Sequence, residues 1–75
     1  MKVKSVRTER TKLFIETDTG VFVAHGEVFR GGFMTEREDI LDEHRSAIDE
    51  NTFLLLKEAI LTYTAEHPEC IRVFI

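Results

Sequence analysis

Residues 12–17 alternate apolar and polar positions. Leu13, Ile15 and Thr17 fall on one side, Phe14 and Glu16 on the other, which is the period of a half-buried β-strand. Val3–Thr8 predicts an earlier strand whose lysines and arginine suit a sheet edge. Val21–Ala24, continuing towards Phe29, predicts a returning strand. Asp18-Thr19-Gly20 between them reads as a three-residue hairpin loop, closed by the positive φ that glycine supplies. That loop pairs Thr17 with Val21, Ile15 with Val23 and Leu13 with His25. On the opposite face it sets Phe14 near Ala24 and Glu16 near Phe22. A slip of one residue would exchange the two faces.

Beyond the Arg30-Gly31-Gly32 break the period changes. Thr35-Glu36-Arg37-Glu38 has the form of a helix-capping box, and acids in a first turn suit the helix dipole. This predicts a first helix to about residue 45, with Ile40, Leu41 and His44 on its inner side. Ser46–Asn51 offers several cap candidates. A second helix is predicted from about residue 50 to 66, where Phe53, Leu56, Ile60 and Tyr63 recur at spacings of three and four and Leu55 and Ala59 widen the stripe. Pro68 stops it. Two alternatives stay open: the two segments as one long helix, or the first partly as loop. Cys70–Ile75 predicts a last strand, with Ile71, Val73 and Ile75 on one face and Cys70, Arg72 and Phe74 on the other.

The expectation is a single small α+β domain over residues 1–75, in β-β-β-α-α-β order, with a three- to four-stranded sheet and helices packed on one face. The position of the last strand, beside the first or the third, stays open. A four-stranded sheet is about 15–20 Å wide and a helix about 10–12 Å across, so two helices cover one face and leave the other bare. The covered face is expected to hold Leu13, Ile15, Val21, Val23, Ile71, Val73 and Ile75. The bare face then carries Phe14, Phe22 and Phe74, with Glu16, Arg72 and Cys70 between them. Exposed apolar patches of that size mark interaction surfaces, so Phe14, Phe22, Phe74 and Arg72 form the candidate interface. The alternative is a strongly coiled sheet whose phenylalanines pack on each other or under the Gly31-Gly32 loop.

Size and charge sharpen this picture. With 75 residues the chain has a thin core, and its single cysteine excludes an internal disulfide, which leaves self-association as the expected staple. A lone thiol and the lack of an apolar leader point to a cytoplasmic protein, and no apolar run approaches the length of a membrane span. The net charge of −4 hides an asymmetry: residues 1–12 hold five bases and one acid, while residues 36–50 hold seven acids and two arginines. Glu36, Glu38, Asp39, Asp42 and Glu43 are a candidate acidic contact surface for a basic partner, the bland reading being a solvated helix face.

No motif names a reaction. His67 and Cys70 lie three apart, but zinc needs about four ligands, and His25 and His44 would join them only by the chance of folding. His67 is better read as binding the last helical carbonyls, Cys70 as a small apolar strand residue and His25 as a hydrogen-bonded core residue. Cys70 with a nearby histidine is the minimum for thiol catalysis, without a setting that would lower its pKa. The paired acids Asp39/Glu43 and Asp42/Glu43 sit in a polar segment, not the burial that separates catalytic pKa values. Gly26, Gly31 and Gly32 match no phosphate loop. Arg30-Gly31-Gly32-Phe33 is a single RGG-like copy, read as a crossover into the first helix.

The functional expectation is a non-enzymatic interaction or regulatory protein, needing no cofactor or metal, whose partner is another protein or a second copy of itself. The alternative is a nucleic-acid-binding module that stacks bases on the sheet aromatics and holds phosphates with the basic first strand and Arg72. The overall acidity argues against that alternative.

Overall fold

The computed structural model describes residues 1–75. The chain runs β1 (Val3–Glu9), β2 (Lys12–Thr17), β3 (Gly20–Phe29), β4 (Gly32–Leu41), α1 (Glu50–Glu66) and β5 (Val73–Phe74). The five strands form one sheet in sequence order. The first four are an antiparallel meander, and β5 returns parallel to β4 after the helix. The sheet curls into a half-barrel, and α1 lies in its concave side, touching both edge strands, β1 and β5.

The expected class is corrected here: there are five strands and one helix, not three or four strands beneath two helices. Residues 35–41, expected to begin a helix, belong to β4. Thr35 does not cap a helix; its hydroxyl donates to the His25 carbonyl at 2.7 Å, and the residue is buried. The physical reason is the edge that β3 would otherwise leave open. A ten-residue strand carries a row of unpaired N–H and C=O groups, and β4 satisfies them. A helix over the same residues would bury little beyond Ile40 and Leu41. Local capping preference is worth about 1 kcal/mol, too little to outweigh a ladder.

The β3–β4 ladder contains a large irregularity. Ala24 pairs with Ile40 and Gly26 with Thr35, so Glu36–Asp39 arch out opposite His25 alone. These four side chains are exposed, and the arch breaks the alternation that would set Thr35 and Ile40, five positions apart, on opposite faces, so that both are buried. Gly26 is required at this kink, because a Cβ there would strike the Met34 carbonyl oxygen and sit 2.9 Å from the Phe33 ring.

The first long hairpin also differs from expectation. Thr17 pairs with Gly20, Ile15 with Phe22, Leu13 with Ala24, and Phe14 with Val23. The loop is therefore two residues, Asp18-Thr19, and the register is one residue from the expected one. Thr17 decides it. Its buried hydroxyl donates to the Gly20 carbonyl at 2.7 Å and accepts from the Thr19 N–H at 3.1 Å. Gly20 takes φ +144°. Asp18 then ties the turn to the start of β1, exchanging bonds with the Lys2 backbone at 2.9 and 3.0 Å. Phe22 and Ala24 consequently face the core and Val21 and Val23 face outward.

The core gathers Val3, Leu13, Ile15, Phe22, Ala24, Phe33 and Ile40 from the sheet, Ile48 from the loop and Leu56, Ala59 and Ile60 from α1. Phe53 and Tyr63 pack at its margin, as the helical spacing predicts. Leu55 does not join the stripe and is 46% exposed. Asp49 caps α1, accepting from the Thr52 N–H at 2.7 Å, and His67 ends it just before Pro68, with its backbone N–H on the Tyr63 carbonyl.

Candidate interaction surface

Cross-strand register sorts the convex face of the sheet into two regions. In the first, Arg7, Phe14, Val23 and Leu41 stand opposite one another in a row across β1 to β4. Arg7 closes over Phe14, its guanidinium carbon 4.6 Å from the ring centroid, and also pairs with Glu9 at 3.1 Å. Phe14, Val21 and Val23 are half-buried by these neighbours. The row is largely covered by the chain itself.

The second region lies at the β3–β4 turn. Met34 of β4 stands opposite Phe74 of β5, and the Phe29 ring leans on Phe74 with centroids 5.4 Å apart. Phe29 is 42%, Met34 50% and Phe74 43% exposed. Arg72 rests near the Phe74 ring, 6.0 Å from its centroid. Here three large apolar side chains from three strands meet solvent together with a cation at their rim. Gly32, at φ +148°, lets β5 close in: a Cβ there would strike the Arg72 carbonyl, which accepts from the Phe33 N–H at 2.7 Å.

Of the sequence-predicted interface residues, the structure brings Phe74 and Arg72 together and places Phe14 in the separate, self-covered row. Phe22 leaves the surface altogether; it is 6% exposed and faces the helix, because the hairpin register is shifted by one. Sequence reasoning missed Phe29 and Met34. Their signal was the Arg30-Gly31 turn, which makes a hairpin of Phe29 and Gly32 once the following residues are read as a strand.

The predicted acidic surface divides too. Glu36, Glu38 and Asp39 ride the β4 arch. Asp42 turns inward to its own loop, accepting from the His44 and Ser46 N–H groups at 2.8 and 2.9 Å. Glu43 sits against Gly20. The other four acids thus face solvent from a strand arch and a loop, not from a helix.

The chemistry-bearing side chains do not converge. His25 is exposed on the outer face opposite Lys12, not in the core, and His44 is exposed in the loop, not on a helix's inner side. His67 stacks on Tyr63 with centroids 4.0 Å apart, and its Nδ1 meets the Tyr63 carbonyl at 2.9 Å, as expected for a residue at a helix end. Burial pushes the Cys70 thiol pKa up, with Glu69 adding to it, the opposite of an activated nucleophile. No three His, Cys, Asp or Glu side chains gather in a metal-binding group. No helix is long and apolar enough to cross a membrane. Comparison of the chain with protein-family models, curated proteins and solved structures gives no match.

Proposed function

We propose that this protein is a non-enzymatic interaction module that binds another protein chain through the Phe29–Met34–Phe74 surface, with Arg72 at its rim. The supporting observation is the joint exposure of those three side chains on adjacent strands. Fully burying one such side chain yields roughly 1.5–3 kcal/mol, and these three are each about half exposed, so a partner that covers all three gains about 2–4 kcal/mol without a further contact. Arg72 suits the rim because arginine combines a stacking plane with donors, and it already leans on Phe74. Site-specific photo-crosslinking tests the reading. A photoreactive residue in place of Met34, irradiated in the cells that make the protein, yields a discrete protein adduct that Phe74→Glu removes. No adduct at position 34, or the same adduct from a probe placed at Glu9, overturns the reading.

The nucleic-acid alternative gains less support. The stacking platform it needs has lost Phe22 to the core, and Phe14 is already capped by Arg7. Titration with single-stranded oligonucleotides at low salt remains its direct check.

A further inference from the structure

The two edges of this sheet are built differently. The β1 edge is broken by an irregularity at Lys4 and carries Lys2, Lys4 and Arg7, the devices that keep an edge from pairing. The β5 edge is short, Val73–Phe74, and Arg72 precedes it, but from Val73 to Ile75 it carries no charge, proline or irregularity. The parallel ladder sets Phe33 opposite Val73, and the Phe33 N–H donates to the Arg72 carbonyl. Backbone groups alternate sides along a strand, so Arg72 and Phe74 spend theirs on β4. Val73 and Ile75 turn their N–H and C=O groups to the open side. That side borders an apolar groove of about 200 Å³ between β5 and α1, lined by Lys57, Ile60, Leu61, Val73, Phe74 and Ile75.

We propose that the β5 edge pairs antiparallel with the same edge of a second copy of this chain, joining two five-stranded sheets into one across a two-fold axis at Phe74. The proposal rests on the reading of the Phe29–Met34–Phe74 region as an interaction surface and names what covers its Phe74 end. In this register Val73 stands opposite the partner's Ile75, and Ile75 opposite the partner's Val73. These are the residues whose backbone groups are free, and they exchange four main-chain hydrogen bonds. Phe74 meets its symmetry mate as a close cross-strand aromatic pair on the convex face, covering the ring on which Phe29 leans. On the concave face the partner's Ile75 enters the groove beside Leu61.

The area argument selects a copy over a lone extended peptide. A standard stable interface buries at least about 1,200 Å² in total, or about 600 Å² from each side, roughly an eighth of this chain's 5165 Å² of accessible surface. Phe29, Phe74 and Leu61, exposed by 42, 43 and 54%, supply on the order of 280 Å² at about 200 Å² for a whole large side chain. The β5 backbone and the stems of Arg72, Ile75 and Lys57 supply the remainder. Leu61 lies seven residues from Leu54, also 54% exposed, so the two form one stripe along α1. A peptide strand reaches little of that stripe. A copy paired through β5 brings its own helix to the same side of the joined sheet, beside it.

The test is the solution mass by sedimentation equilibrium between about 1 and about 100 µM. The expected result is a rise to twice the 8.7 kDa of the chain. Val73→Pro removes an N–H that the isolated chain does not use, and it returns the mass to the single-chain value with the far-ultraviolet dichroism retained. Leu61→Glu, at a surface position, raises the dissociation constant about tenfold or more, and it decides the matter should the proline variant fail to fold. A wild-type protein that stays at 8.7 kDa throughout overturns the pairing. So does a dimer untouched by both variants; if Met34→Glu alone dissociates it, the convex-face reading survives and edge pairing does not. A monomer that still forms the Met34 photo-adduct with a foreign protein likewise separates the two.

Discussion

Replacing Phe22 by alanine tests the hairpin register on which the surface assignment depends. In the structure Phe22 is 6% exposed, opposite Ile15 and within the core cluster. Truncating a buried phenylalanine costs about 3–5 kcal/mol, combining lost transfer energy and a residual cavity. A domain of this length holds about 4–11 kcal/mol in all, at roughly 0.05–0.15 kcal/mol per residue. Phe22→Ala therefore removes about a quarter or more of the stability and unfolds the protein if it lies at the lower end. Val23 stands outward and half-buried, opposite Phe14 and Leu41, so Val23→Ala costs on the order of 1 kcal/mol. The assay is urea unfolding followed by far-ultraviolet dichroism. With a slope near 1 kcal/mol per molar, the two midpoints differ by about 2 M or more. Phe22→Leu, at about 1–2 kcal/mol, keeps the comparison measurable if the alanine variant does not fold. The three-residue loop would place Phe22 outside and Val23 inside. A larger loss for Val23→Ala than for either Phe22 variant therefore refutes the two-residue turn and returns Phe22 to the surface.

Four other outcomes follow from the same geometry. Gly26→Ala, whose Cβ has only the Met34 carbonyl and the Phe33 ring to occupy, costs about 1–3 kcal/mol in urea unfolding, and the β4 arch shifts, visible as amide shift changes at residues 34–40. Thr35→Val leaves the His25 carbonyl without its buried 2.7 Å donor and costs about 1–3 kcal/mol in the same assay. Asp49→Ala lowers the melting temperature at neutral pH. The Thr52 hydrogen bonds hold the Asp49 carboxyl below its ordinary value, near 3.9 for aspartate, so the wild-type advantage is full above that value. The advantage shrinks as pH falls through the lower folded-state value, and thermal melts at pH 7 and pH 2 show the difference closing. Burial and Glu69 raise the Cys70 pKa, so alkylation by iodoacetamide at pH 8 is slower in the folded protein than in urea; equal rates contradict the burial.

The candidate surface was half legible in the chain. Phe74 and Arg72 declared themselves through alternation in the last strand. Phe29 and Met34 did not, because their exposure depends on β4 being a strand and on β5 choosing β4 as its neighbour. Both choices are made by contacts distant in sequence. The acidic segment shows the same limit: its charge was readable, but its mounting on an arch opposite His25 is not a local property.

What the residues determine alone is the strand character of Val3–Thr8 and Lys12–Thr17, and the helix from about residue 50 to 66 with Leu56 and Ile60 inward. Lys12–Thr17 and the helix each carry one unambiguous, local period, and Val3–Thr8 is marked by the charges of a sheet edge. Two matters were left to the tertiary structure. Around residues 18–20 either register buries an apolar pair, Val21 with Val23 or Phe22 with Ala24. The hydrophobic pattern is then nearly indifferent, and the hydrogen bonds of a buried Thr17 hydroxyl decide. Over residues 35–41 a capping box competes with a ten-residue strand edge that must be satisfied. The helix signal is short-range and worth about one hydrogen bond, whereas the ladder that replaces it is made of several, and only the folded sheet presents it.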